Sequence, residues 1–438
     1  MDPYLSTNRY RLLGVGANRG YVVVSRMLKA PRAPLALPQI SLAERDRRWS
    51  AVRESMRERK LDALFLCGWP LMWDFKVANA RFLSTIGGNA EFNLMVFPLE
   101  GEPTSFVSMP TFLEGWKRAQ NWVTDVRPRK GSWADSIAGR ITELGLERGR
   151  IGLDGLAGPL DADGWLPHSV YTRLTELLPH CELVNIEDML EAMRGVKSAE
   201  ELGILELAAG LGDHMMAACR DNARPGVSES AVYASMIETM IANGGEEPTL
   251  FLWAAGALPP QHPFVVPQHR LLEAGDTIIC EIHPKYAGYT THIERTFSLG
   301  KADPKRQAIY DGCIAVYEEG LARMGPGKCI SEAVLAGGKV VEDRGLKLCE
   351  LGIHGHGLGS LEHPRYRLHA LKADQIAIKT IGDTFVPGMV FAFNIDLFDP
   401  NWNDGETGAV FAETILITET GARRMHSYDM KLQELPIA

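Results

Sequence analysis

The sequence predicts an α/β (α+β) protein of two domains, and three observations carry that expectation. The chain has 438 residues, 45% apolar and 23% charged, an ordinary globular composition that is too long for one core of typical size. From about residue 41 onward, short apolar runs bounded by turn residues alternate with segments of helical spacing. The composition then shifts, because eight of the twelve histidines fall between His262 and His369. Histidine suits proton transfer and metal ligation near neutral pH, so the second half is expected to hold the chemistry. The expected division is an N-terminal extension over 1–40, an α/β domain over 41–190 and a catalytic domain over 191–438.

Residues 1 to about 40 mix basic and apolar positions without a sustained period and read as an extended arm. Leu42, Trp49, Val52 and Met56 lie at helical spacing, and the run Leu61 to Leu66 reads as a buried strand. Further strands are expected at Phe92–Phe97, Thr104–Val107 and Arg150–Asp154, with helices between them. Ser198 with Glu201 forms a capping-box pattern that opens a long helix to about Cys219. A weak internal repeat follows. Pro225-Gly226 and Pro326-Gly327 each make a turn before a serine cap, Ser228 or Ser331, and a helix, which implies two related halves with a site between them.

Lys+Arg 46 against Asp+Glu 55 gives a net charge of -9, which argues against nucleic acid or an anionic membrane as the ligand. No window reaches the roughly 18 uninterrupted apolar residues of a membrane span. The start, Met1-Asp2-Pro3-Tyr4, lacks a signal-peptide pattern, so a cytoplasmic location is expected. The seven scattered cysteines include no C-x-x-C pair and read as reduced, mostly core residues.

Four segments carry candidate chemistry. Gly275 to Phe297 reads as two strands joined by a tight return through Gly288, which brings Glu281 and His292 together. His354-Gly355-His356-Gly357-Leu358-Gly359 sets two histidines two apart on a strand-like stretch whose glycines admit a ligand closely. Pro387 to Asp396 and Ala412 to Thr418 are turn-bounded apolar strands with embedded polar residues that need partners.

These four segments in order, with the Asn79-Ala80-Arg81-Phe82-Leu83-Ser84 stretch and the Lys197 to Glu201 linker, make the chain resemble the methionine aminopeptidase, prolidase and creatinase superfamily over about 41–425. The resemblance implies a creatinase-type N-terminal α/β domain followed by a pseudo-twofold pita-bread catalytic domain. Metal-dependent members carry two Asp, a His and two Glu, which fall here on Glu281, His292, His356, Asn394 and Ala412. Only the histidine is retained, and a two-ion cluster needs several anionic oxygens, so that site looks dismantled.

Creatinase-type members are the metal-free branch, and Ile293-Glu294-Arg295-Thr296 resembles their strand. The resemblance implies Glu294 as a substrate-holding carboxylate and His262 as general acid/base, with His269 as fallback. Asn394 replaces a second substrate-binding Glu, which argues against a strongly cationic guanidinium substrate. The expected activity is metal-independent hydrolysis of a C–N bond, amide or amidine, in a small polar molecule. Catalytic residues would be His262, Glu294 and His356. Substrate-binding residues would be Trp253, Glu281, His292, Arg295 and Asn394, with Trp253 as an aromatic wall or a core residue.

No cofactor is expected. The alternative is one divalent ion on Glu281, His292 and His356, with Asp396 or Glu413, in a divergent Xaa-Pro peptidase-like hydrolase or a lyase on a sulfonium osmolyte. Strand alternation turns Glu413 away from the position of Ala412. A third reading is a catalytically inactive binding module. Creatinase-like relatives imply a homodimer in which Trp73 or Arg81 of the partner's N-terminal domain reaches the pocket. Glu362 to Lys379, with Arg365, Arg367 and His369, is either a substrate-selecting segment or a solvated loop.

Overall fold

The structure, a computed structural model, describes residues 40–69, 75–88, 91–156, 164–263, 266–368 and 382–437. The arm over 1–39, Trp73 and His369 lie outside the described residues.

The N-terminal part is built on a six-stranded sheet of β1 (Ala63–Gly68), β2 (Asn93–Pro98), β3 (Thr104–Val107), β4 (Asp125–Pro128), β5 (Arg150–Leu153) and β6 (Glu182–Asn185). Its order is β4-β3-β2-β1-β5-β6, with β1 antiparallel to β2 and parallel to β5. Around it lie α1 (Leu42–Arg59), α2 (Phe75–Ser84), α3 (Leu113–Ala119), α4 (Trp133–Glu143), α5 (His168–Leu177) and α6 (Glu187–Gly195). The four expected strands all form. β4 and β6 add the two edges, and their polar, four-residue sequences carry little periodic signal.

The C-terminal part opens with α7 (Ala199–Asn222), capped by Ser198 and Glu201 in a reciprocal capping box. α7 is long and apolar enough by composition to cross a membrane, but Leu211, Met215, Met216 and Cys219 pack into a core with α8 (Glu229–Ala242). Then follow β7 (Phe251–Gly256), β8 (Thr277–Ile282), β9 (Lys285–Tyr286), β10 (Tyr289–Thr290), β11 (Ile293–Leu299), α9 (Pro304–Arg323), α10 (Ile330–Asp343), β12 (Lys347–Gly355), β13 (Glu362–Arg367), β14 (Val390–Phe398), β15 (Gly408–Thr418), β16 (Gly421–Arg424) and β17 (Gln433–Leu435). The main sheet runs β13-β12-β14-β15-β11-β8-β7. The pairs α7/α8 and α9/α10 cover one of its faces.

The repeat noticed in the sequence has structural counterparts. Gly226 and Gly327 both take positive φ in equivalent turns, and Ser228 bridges Leu271 as Cys329 bridges Thr384. One detail differs. Ser228 caps α8, but Cys329 holds the cap position of α10, because the backbone N–H of Ser331 donates to Asp383 at 2.8 Å.

Buried ion pairs fix the linker against the sheet. Arg194 and Lys197 both donate to Glu362, at 3.1 and 2.9 Å. Arg48 of α1 bonds Glu44 and the hydroxyl of Tyr289, which in turn donates to Glu201 of α7 at 3.0 Å. The return that carries His292 is thereby tied to two helices.

Candidate active site

Cross-strand register sorts the candidate residues onto two faces, because successive side chains on a strand point to opposite sides. Leu252, Glu281, Glu294, Ala412, Asn394, Gly352 and Arg367 form one row across six neighbouring strands and β13 at the edge. They lie on the face opposite the helices. Trp253, Cys280 and Arg295 form the adjacent row and point into the helix-covered core.

Two expectations are corrected by this alternation. Trp253 is a core residue rather than a substrate wall, fully buried and donating from Nε1 to Glu229 at 3.0 Å. Arg295 does not bind substrate. Its guanidinium pairs with Glu413 and donates to the carbonyls of Asp429 and Ala412, at 3.0 Å each, all on the buried side. Glu413 has turned away from the site, as strand alternation anticipated.

The other candidates converge. His262 Nδ1 contacts Asp396 Oδ2, and its Nε2 lies 3.7 Å from Glu281 Oε2. His269, the fallback, is exposed and bonded to Ser230 at 3.3 Å, outside the cluster. His292 Nε2 is 3.1 Å from Glu294 Oε1 and 3.5 Å from Glu281 Oε1. His283, which the sequence reading passed over as a site residue, brings Nε2 to 3.2 Å from Glu281 Oε1. It stands two residues beyond Glu281, and alternation was the signal that places both on one face. Its ring centroid is 4.5 Å from that of His292 and 5.0 Å from that of His356, and His354 lies 4.9 Å from His356. Asn394 also faces this cluster, and its buried Oδ1 has no hydrogen-bond partner among the described residues.

Glu294 lies on the site face of β11, opposite Glu281 and Ala412. It is fully buried, with Oε1 3.1 Å from His292 Nε2 and Oε2 without a hydrogen-bond partner among the described residues. Burial first, and repulsion from the Asp396 carboxyl group second, pushes Glu294 well above the usual carboxylate range. Asp396 is likewise raised, by burial first. Burial also acts to raise Glu281, but contacts from His283, His292 and His262 outweigh it and hold the group at about 2, as a carboxylate. Burial, followed by neighbouring imidazoles, pushes His292, His354 and His356 well below the usual histidine range.

Arg81 is buried and pairs with Glu246 of the same chain at 3.1 Å.

Residues 204–419 match the metallopeptidase family M24 and residues 48–196 match the creatinase/prolidase N-terminal domain. The chain belongs to the creatinase, prolidase and methionine aminopeptidase superfamily, with a creatinase-type N-terminal domain and a pita-bread C-terminal domain. It is similar to a Xaa-Pro dipeptidase of Pyrococcus furiosus, 24% identical over 62% of this chain and 75% of that one. It is also similar to a creatinase of a Bacillus species, 23% identical over 66% of this chain and 69% of that one. The crystal structure of the prolidase from Pyrococcus horikoshii superposes with a TM-score of 0.70 at 21% identity, covering 87% of this chain and 99% of the other.

The residues do not fit the two-ion, carboxylate-bridged arrangement the resemblance implies for metal-dependent members, since Asn394 and Ala412 supply no anionic oxygen and His292 replaces a carboxylate. They do fit a single ion. His283, His292 and His356 can each offer a nitrogen, all within 4.8 Å of one another, and Glu281 Oε1 lies beside two of them. An ion there would supply Lewis-acid polarisation of a bound oxygen.

Proposed function

We propose that this protein is a hydrolase of a C–N bond, amide or amidine, in a small polar molecule, with His262 as general acid and base. The observation that carries the reading is the His262–Asp396 contact in a cluster of otherwise buried groups. The His262 side chain is 21% exposed, whereas Glu281 is 6% and Asp396 1% exposed. His262 is therefore the titratable group of this cluster that an entering substrate meets first.

Asp396 orients the ring through Nδ1, which leaves Nε2 beside Glu281. Nε2 removes a proton from water as the water adds to the electrophilic carbon, and Asp396 stabilises the imidazolium that forms. The same Nε2–H then protonates the departing nitrogen. Proton transfer of this kind contributes about 10² to 10⁴ in rate, so donors toward the developing oxyanion must supply the remainder.

Arg365 and Arg367 suggest the substrate's other end. Both stand on the site face of β13, and Arg367 pairs with Glu350 at 3.0 Å. Arg365 is partly buried beside Arg367, and burial first and the Arg367 charge second lower its pKa against the attraction of Glu350. Two strand spacings separate β13 from Asn394, roughly 10 Å. A small molecule with an anionic group at that distance from the scissile bond suits this face.

A second reading, a peptidase acting on short peptides, is favoured by the similarity to a Xaa-Pro dipeptidase. Amine release from a panel of N-acyl, carbamoyl and amidino amino acids together with Xaa-Pro dipeptides separates the two. The proposed function predicts turnover of the first group, and turnover of the dipeptides alone would replace it by the second.

We further place the protein in the cytoplasm, supported by seven unpaired cysteines. We also propose a homodimer whose partner N-terminal domain completes the pocket. The apolar surface of Phe112 and Ile241, 40% and 48% exposed beside one cleft, supports such an interface.

A further inference from the structure

We propose that His283, His292 and His356, with Glu281 as the fourth ligand, bind one transition-metal ion of the zinc, cobalt, nickel or ferrous class. The ligand set differs from the superfamily's, since His283 stands at none of the five matched positions and His292 at a carboxylate position.

The first argument is unmet hydrogen bonding. Nδ1 of His283, Nδ1 of His292 and Nε2 of His356 are buried without a hydrogen-bond partner among the described residues, while Nε2 of His283 lies 3.2 Å from Glu281 Oε1. His283 is 2% exposed, and His292 and His356 are fully buried. A buried polar atom left unsatisfied is destabilising, and three on neighbouring rings is an expensive arrangement unless something fills the space between them. A metal ion accepts several such lone pairs at once.

The second argument is preorganisation. His356 Nδ1 lies 3.3 Å from the carbonyl oxygen of Thr290 and 3.2 Å from its hydroxyl. With Nδ1–H donated to that carbonyl, the neutral ring carries its lone pair on Nε2, the unpartnered atom. A backbone carbonyl on the far nitrogen is the usual outer-shell support of a ligating histidine. Thr290 is itself held, because its N–H donates to Gly357 at 2.8 Å.

The third argument is charge and chemical preference. Imidazole ligates as the neutral ring, so three of them with one carboxylate would leave a divalent ion at a net charge of one, with Glu294 nearby on His292. Nitrogen atoms about 3.4 Å apart surround a tetrahedral zinc, so donors already within 4.8 Å need only small ring rotations. Imidazole-rich sets favour zinc, cobalt, nickel or iron, whereas manganese, magnesium and calcium prefer oxygen. The site stands whichever bond the protein cleaves.

The test uses the full chain, purified without a metal-binding tag, stripped with a chelator and titrated with Co²⁺, Zn²⁺ and Mn²⁺. We expect one Co²⁺ per chain with visible ligand-field bands of four-coordinate intensity, displaced by Zn²⁺ and not by Mn²⁺. His283→Gln should weaken Co²⁺ binding more than about 100-fold, beyond the 10–100-fold typical of an outer-shell change. His354→Gln, outside the ligand set, should retain the bands. Circular dichroism confirms that each variant is folded, and His356→Gln replaces His283→Gln if the latter is not. Featureless Co²⁺ titrations of the folded wild type, or binding that both folded ligand variants leave unchanged, would overturn the proposal. Because the readouts are stoichiometry and spectrum, this result is independent of whether the hydrolysis panel succeeds.

Discussion

Arg295 shows how one residue can carry a family pattern and yet serve the core. Its guanidinium is fully buried, paired with Glu413 and stacked 4.7 Å over Phe411. Removing one partner of a buried pair leaves an uncompensated charge, which costs about 3–5 kcal/mol. Glu413→Gln should therefore lose stability of that order in denaturant unfolding, and a loss below about 1 kcal/mol would show that Arg295 finds other compensation. The sequence made Glu281, His292, Glu294, His356, Asn394 and His262 legible as a group, since motif order and strand pairing place them together. The same period-two argument, applied to Glu413, would have turned Trp253 and Arg295 inward and brought in His283. The His262–Asp396 contact joins residues 134 apart through a loop, and no local pattern announces it.

At the scale of elements, the site depends on how closely α9 approaches β14, the strand of Asn394 and Asp396. A Cβ built on Gly320 of α9 would stand 2.4 Å from Phe393, the neighbour of Asn394. Overpacking of this kind typically costs 1–3 kcal/mol and shifts backbone. Gly320→Ala is expected to destabilise by about that amount and to lower kcat by displacing Asp396 under His262. Thermal unfolding with steady-state kinetics checks both, and unchanged values would mean that α9 can move without disturbing β14. The main strands and α1 and α7 were legible because each couples an apolar period to turn or cap residues. The polar edge strands β4 and β6 were not, because their pairing with β3 and β5 rather than their own sequence makes them strands.

Across the whole molecule, buried charges join the linker helix α6 to the catalytic sheet. Glu191 Oε2 lies 3.2 Å from His363 Nε2. Burial raises Glu191 from 4.5 to about 7 and lowers His363 from 6.5 to about 4, so near pH 5.5 burial favours the neutral form of both. The signs oppose. A raised carboxyl pKa gives stability that is full below 4.5 and lost as pH rises through 7, whereas a lowered histidine pKa gives stability lost as pH falls from 6.5 to 4. Between them the slopes largely cancel. Glu191→Gln removes only the first, so its stability relative to wild type should rise by roughly 1–3 kcal/mol between pH 4.5 and 8, read from unfolding midpoints. A flat difference would show that Glu191 is ionised in the fold.

The central claim, that His262 moves the proton in C–N bond cleavage, is tested most directly by comparing wild type and His262→Ala on the best substrate of the amine-release panel. The account predicts a kcat lower by about 10² to 10⁴ with KM within a few-fold, in a protein of unchanged melting temperature. A His262→Ala variant that retains wild-type kcat would contradict it.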